Sequence, residues 1–311
     1  MNALIKIRLG IIAILVISLV GCGEKSTTAK KVIYETNMCA AVDDVGGLAM
    51  IHALQNRGEA ELLAVCLNEV HPSGVAAVDA INTWYGRGDI PVGVFKGHFE
   101  DPDESAYLDN LAKFPHDIDN ESAPSAVEVY RKVLAEQPDA SVTIISVGFM
   151  NNLDRLLDTD RELVARKAKE LVIMAFHIDD GGNLVAHNTV AAAENVIENW
   201  PTPIVFHSMG EDIFTGSGLA DSPEGNPVRE AYYSFSNSNF EDQTSWDQIT
   251  VLYGVRGTSD NFVKNSTGIG RLPNGFEWEL KTRSDSFLEA LQSPEVYARI
   301  IEELMLEAPA R

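Results

Sequence analysis

Four things are scarce or missing in this 311-residue chain, and each removes a class of function. Basic residues are few: 24 Lys and Arg stand against 46 Asp and Glu, a formal net charge of −22 at pH 7. Phosphate binding needs a basic face, so nucleic acid is excluded as a partner, and the acidity itself reads as solubility. Cysteines number three, Cys22, Cys39 and Cys66. The last two could pair in an oxidising compartment, but Cys66 lies in the strand-like run Leu62 to Leu67, so two free thiols are expected. The apolar run Leu9 to Val20 has about 12 residues, against the ~20 that a membrane-spanning helix needs. Finally, neither an internal repeat nor a Pro/Ser-rich linker divides the mature chain, so one domain is expected.

What is present begins with a processing signal. Lys6 and Arg8 precede the short apolar run, which ends in Leu19-Val20-Gly21-Cys22. That ending resembles the lipobox of bacterial lipoproteins. The resemblance implies a signal peptide over 1–21, a lipid on Cys22, a polar tether over 22–31 and a folded domain over 32–311. Residue 23 is Gly rather than Asp, so the expected location is the outer membrane, facing the periplasm and attached through the N-terminal lipid only.

Strand-like and helix-like patterns then alternate. Val32-Ile33-Tyr34, Glu61 to Asn68, Pro91 to Val94, Val142 to Val147, Glu170 to Phe176 and Pro203 to His207 read as strands. Helical patterns lie between them, near Val45 to Asn56, Gly74 to Tyr85, Ser125 to Gln137, from Leu153, and Thr189 to Asn199. This rhythm predicts a single α/β domain with a mostly parallel sheet flanked by helices, a Rossmann-like core. Further on, helices are expected at Asn226 to Phe235, Asp247 to Tyr253 and Pro294 to Leu306. The segment Asn261 to Thr282 reads as a hairpin-rich appendage.

In such a sheet, ligands bind just past the strand ends. The stretch Tyr34-Glu35-Thr36-Asn37-Met38-Cys39-Ala40-Ala41-Val42-Asp43-Asp44 puts two adjacent carboxylates at a strand-to-helix junction. Such a pair can grip a hard cation and a sugar hydroxyl together. It also suits a helix N-terminus, where the macrodipole favours negative charge. Other strand-end positions are Asn68-Glu69-Val70-His71, Val147-Gly148, the 177–188 loop and His207.

The stretch ETNMCAAVDD resembles the opening motif of the inosine-uridine preferring nucleoside hydrolase family, written DTDMGNDVDD in some bacterial members. Val65 to Asn68, Ile145 to Leu153, Trp200 to Val205, Asn226 to Tyr232 and Ser245 to Gln248 resemble later segments of that family, in order. The resemblance implies a calcium-assisted hydrolysis of the N-glycosidic bond of a ribonucleoside or related ribosyl compound. Carried over by position, Asp44 and Asp247 would ligate calcium, with the Val147 carbonyl and Asn37 completing the metal set. Asp43 would accept from a ribose hydroxyl, and Asn68, Asn183 and Asn188 would complete the sugar contacts. The departures are equally specific. Asn37 stands where the family has an aspartate that serves as metal ligand and general base, and an amide cannot take up a proton. Cys39, Ala41, Ala186 and Trp246 also differ from the family pattern, so any calcium site is expected to be weakened. Glu69, His71, His187 and His116-Asp117 are the candidates for proton transfer, and Glu35 would support Asn37 and the metal from behind. Trp84-Tyr85 and Phe95 to Phe99 are candidate walls for a leaving base. The alternative is a non-catalytic lipoprotein that keeps the fold and binds a nucleoside, a sugar or a protein partner. Assembly into a homo-oligomer stays open.

Overall fold

The computed structural model of the chain describes residues 29–99, 102–175, 182–282 and 284–310, with the backbone alone at 182 and 183. The signal segment, Cys22 and most of the tether lie outside the described residues. Six parallel strands form the sheet's main part: β1 (Lys30–Thr36), β2 (Ala60–Leu67), β3 (Val92–Val94), β4 (Val142–Ser146), β5 (Ala168–Met174) and β6 (Ile204–His207). Their order in space is β3-β2-β1-β4-β5-β6. The direction of winding reverses between β1 and β4, the position at which an open α/β sheet leaves a crevice.

Side-chain alternation along β1 builds the two layers of core. Val32 and Tyr34 join a cluster with Leu48, Ile51 and Val251, while Ile33 joins one with Tyr130, Leu153 and Val196. The first cluster is roofed by α1 (Asp43–Asn56), α9 (Trp246–Arg256) and α10 (Pro294–Met305). The second is roofed by α4 (Ala126–Glu136), α5 (Asn151–Lys167) and α7 (Val190–Asn199). Burial on both faces is why the strands read as near-continuous apolar runs. Helix α4 opens with a capping box: Ser125 accepts from the Glu128 N–H and the Glu128 carboxylate accepts from the Ser125 N–H. Helix α1 has no side-chain cap and carries Asp43 and Asp44 in its first turn.

Two adjacent glycines let α1 lie close. A Cβ on Gly47 would fall 2.6 Å from the Tyr34 hydroxyl, and one on Gly46 would fall 2.5 Å from both Gln248 Nε2 and the Tyr232 hydroxyl. Tyr34 also donates to the Asp44 carbonyl at 3.0 Å. The start of α1 is thereby pinned to β1 and to α9.

The remaining elements are α2 (Gly74–Trp84), α3 (Ala106–Leu111), α6 (Gly182–Ala186), α8 (Pro227–Phe235), the two-residue ladder of β7 (Phe214–Thr215) and β8 (Gln243–Thr244), and the hairpin of β10 (Ile269–Arg271) and β11 (Glu277–Glu279). The segment 261–282 is not wholly an appendage. Its start is β9 (Phe262–Asn265), the antiparallel edge of the main sheet, paired with β12 (Ser286–Ala290), which lies parallel to β6. These strands are short and half exposed, so period-2 patterning is faint in them. Both remaining thiols are free and buried.

Candidate active site

The acidic pair and a distant third acid meet in the crevice. Asp43, Asp44 and Asp247 each place a carboxylate oxygen within 4.8 Å of the others, although Asp247 enters from α9, 204 residues beyond Asp43. All three are 2–3 % exposed. Local structure sets each one. Asp44 Oδ1 accepts from the Thr36 hydroxyl and from the Met38 N–H at 3.0 Å, and Met38 takes the left-handed φ of 43° as the chain turns from β1 toward α1. Asp43 Oδ2 accepts from the Asp247 N–H at 3.4 Å. The start of α9 is held in turn by the loop after β6, because the Ser245 N–H donates to the Gly210 carbonyl at 3.3 Å. Gly210 has φ +136°, and a Cβ there would strike the Trp246 backbone.

Three carboxylates this close repel one another. Burial, then the charge of Asp44, pushes Asp43 up to about 7. Burial pushes Asp44 up to about 6, against its hydrogen bonds from Thr36 and Met38. Asp247 is raised well above the usual carboxylate range by burial and then by the other two charges. Among the described residues, no positive charge is among the principal groups acting on them. A buried set of oxygen donors without a cationic side chain fits a hard divalent ion of the calcium type.

A second group adjoins the first along the loop Asn37 to Asp44. Cys39 Sγ, a Glu69 carboxylate oxygen and a His187 ring nitrogen lie within 4.8 Å of one another. Glu69 Oε1 accepts from the Val70 N–H at 2.6 Å. Its Oε2 is 3.8 Å from His187 Nδ1, too long for a hydrogen bond, and both atoms are buried without a partner among the described residues. Burial pushes Glu69 up to about 7. Aromatic rings close this side: Phe149 lies 4.5 Å and Phe99 5.8 Å from the His187 ring, and Phe95 stacks on Phe99.

Several expected residues lie elsewhere or take other partners. Asn37 donates its amide N–H to Cys39 Sγ, 2.9 Å away. Glu35, one residue after Tyr34, faces the opposite layer. There it accepts from Tyr130 at 2.7 Å and Asn68 at 3.1 Å, and burial raises it to about 7. Asn68 is buried, and its Oδ1 has no hydrogen-bond partner among the described residues. Gly148 leaves it that room, since a Cβ there would fall 2.5 Å from both terminal atoms of Asn68. Val147 ends the β4 ladder, donating its N–H to the Glu35 carbonyl at 2.9 Å. His71 accepts from the Ser73 N–H through Nδ1 and shapes the turn into α2. Asn188 is exposed with φ 54°, while the Asn183 side chain lies outside the described residues. His116 is exposed, hydrogen-bonded to the Phe114 carbonyl. His207 is buried against Thr250 and held neutral, lowered to about 3 by burial. Tyr85 stacks on His52 in the core. A groove of about 580 Å³ lined by Lys30, Glu59, Arg256 and Asn261 opens at the amino ends of the strands, away from the carboxylates.

Sequence reasoning did not find Phe149, Thr36 or the meeting of Cys39 with His187. The one available signal was Cys39 itself, in a loop position where the resembling motif has glycine.

No protein-family model matches the sequence, and no curated protein matches it. Solved structures do match, at low identity and over nearly the whole chain. The inosine-uridine preferring nucleoside hydrolase of Bacillus anthracis superposes with a TM-score of 0.68 at 15 % identity, covering 89 % of this chain and 99 % of that one. The purine-preferring ribonucleoside hydrolase of Gardnerella vaginalis gives 0.62 at 15 %, covering 89 % and 98 %. The type III effector protein XopQ, solved with adenosine diphosphate ribose, gives 0.68 at 13 %, covering 91 % and 95 %. The single α/β domain with its eight-stranded, mostly parallel sheet is therefore the nucleoside hydrolase fold.

Proposed function

We propose that this protein is an N-glycosidase that hydrolyses the glycosidic bond of a ribonucleoside or related ribosyl compound with the help of a divalent cation. The observation that carries the reading is the convergence of Asp43, Asp44 and Asp247 in the β1/β4 crevice. These three would hold the ion, and calcium suits an all-oxygen donor set. When bound, such an ion supplies orientation of the sugar hydroxyls and acidification of a water. The chain's own residues do the rest. Carboxylate charge in a dry site stabilises the positive charge that builds on the sugar. Asn68, with its free Oδ1, accepts from a sugar hydroxyl, and Asn183 and Asn188 are proposed as further sugar contacts. Glu69, near 7 and with Oε2 unpartnered, is tuned to accept a proton at neutral pH. Its neighbour His187 can hand a proton to the departing base. Phe95, Phe99 and Phe149 offer the ring surface on which a base stacks.

One observation favours a second reading. Asn37 cannot act as a base, and its amide is committed to Cys39. A protein that binds a nucleoside or sugar without cleaving it would be built this way. The neighbour bearing adenosine diphosphate ribose fits a ribosyl ligand under either reading. The deciding experiment incubates the mature protein with calcium and a ribonucleoside panel and measures free base and reducing sugar. Calcium-dependent release of both is expected. Calcium and nucleoside binding with no release, persisting in Asn37→Asp, would overturn the enzyme and leave the binding protein. On the N-terminal residues alone, we also propose a lipid on Cys22 that anchors the domain to the outer membrane on its periplasmic side.

A further inference from the structure

We propose that Cys39, Glu69 and His187 form a second cation site, for a borderline-soft divalent ion of the zinc class, chemically distinct from the all-carboxylate group beside it. The donor set is the first argument. One thiolate, one imidazole and one carboxylate are the ligand types zinc takes, and three protein ligands with an open fourth position describe its reactive sites. Calcium and magnesium prefer oxygen alone, so the two groups select different ions.

Geometry is the second argument. Zinc bonds of ~2.0–2.3 Å in a tetrahedron put neighbouring ligand atoms about 3.3–3.6 Å apart. Glu69 Oε2 and His187 Nδ1 are 3.8 Å apart, and all three donor atoms lie within 4.8 Å of one another. Small side-chain rotations bring them onto one ion. The third argument is the unmet demand. Glu69 is fully buried, and its Oε2 and the facing His187 Nδ1 have no hydrogen-bond partner among the described residues. A buried polar atom left so is destabilising, and an ion between the two would satisfy both.

The surroundings fit as well. The Asn37 amide donates to Cys39 Sγ at 2.9 Å, a contact that supports a metal-bound thiolate and orients it. Cys39 packs with Phe95, Phe99, Phe149 and Val70, an apolar shell that keeps competing water away. Binding releases the Cys39 thiol proton to solvent and takes His187 in its neutral form. Occupation would also withdraw Glu69 and His187 from proton transfer, so zinc would oppose the proposed glycosidase instead of assisting it. The binding itself does not depend on that reading.

The test uses the full mature protein and Co²⁺ as a coloured substitute for zinc. A thiolate-to-cobalt charge-transfer band that zinc displaces and calcium does not is the expected result. The band should be lost in Cys39→Ser and retained in both Cys66→Ser and Asp247→Asn. Asn37→Leu should weaken cobalt affinity by about 10–100-fold while keeping the band at saturation. Absence of the band in the wild-type protein would overturn the proposal, whatever the nucleoside assay gives. A band that survives in Cys39→Ser, or one that vanishes in Asp247→Asn, would also overturn it. Should Cys39→Ser fail to fold, wild-type protein decides: zinc must slow alkylation of Cys39 relative to Cys66, and equal rates refute the site.

Discussion

Replacing Asp247 by Asn tests the acidic cluster through two opposite effects. Burial and the neighbouring charge raise the Asp43 pKa to about 7 from an ordinary 3.8, and each tenfold gain in proton affinity corresponds to ~1.36 kcal/mol. Holding that one carboxylate ionised therefore costs the native state on the order of 4 kcal/mol. The sign is the reverse of a salt-bridged acid. The folded state holds its proton more tightly than the unfolded chain, so stability is lost as pH rises from about 4 toward 7 and the penalty is complete above that. Asn keeps the shape of Asp247 and removes one of three acids whose carboxylate oxygens lie within 4.8 Å of one another, a separation at which two like charges repel by roughly 3–4 kcal/mol at an effective dielectric of about 20. Without divalent ions at pH 8, the variant should be more stable than the wild type by about 2–4 kcal/mol. For a chain of this size that raises Tm by roughly 4–8 °C. The gain should shrink as pH falls toward about 4, where the wild-type acids are neutral. Calcium should reverse the ranking as it approaches ~1,000 times Kd, where it stabilises the wild type by ~4.1 kcal/mol and the variant has lost a ligand. Differential scanning calorimetry with chelator and with calcium, at pH 5 and pH 8, reads all four states. A variant that melts at or below the wild type in chelator at pH 8, with an unchanged calcium response, would refute the cluster as both a source of strain and a cation site.

Other outcomes follow from the same geometry. Glu69→Gln should lower kcat for base release by ~10²–10⁴-fold while circular dichroism stays native. At saturating calcium, which would hold Asp43 and Asp44 ionised, wild-type kcat/KM should rise with pH through about 7 as Glu69 loses its proton, and the variant should lack that limb. Gly148→Ala should destabilise by ~1–3 kcal/mol, read by urea denaturation, because its Cβ would fall 2.5 Å from the Asn68 amide atoms; nucleoside affinity should fall with it. Cys22→Ser should move the protein from the membrane fraction to the soluble periplasmic fraction; unchanged fractionation would refute the lipid anchor.

How far the sequence could be read depended on whether a signal was local. The six parallel strands are mostly buried apolar runs and the helices between them are amphipathic or buried, so both periodicities were visible, as was the junction carrying Asp43 and Asp44. Strands β9 and β12 were hidden because several residues of each are exposed, which breaks the apolar run, and each is ordered by its neighbours. Glu35 was in principle legible: it follows Tyr34 in a strand, so its side chain had to point to the other layer, where Tyr130 and Asn68 receive it.

The sequence by itself determined the α/β alternation, the excess of acid and the pair of carboxylates at the end of β1, because these depend on neighbours within a few residues. The joining of Asp247 to the pair was carried by the family resemblance and is made by the fold; tertiary structure alone decided that Asn37 turns to Cys39 and that Cys39, Glu69 and His187 share a buried space. Their backbones arrive from loops far apart in the chain, and only the winding of the sheet and the close seating of α1 on β1 and α9 bring them together. No spacing along one strand or helix encodes a distance between side chains that the fold itself must create.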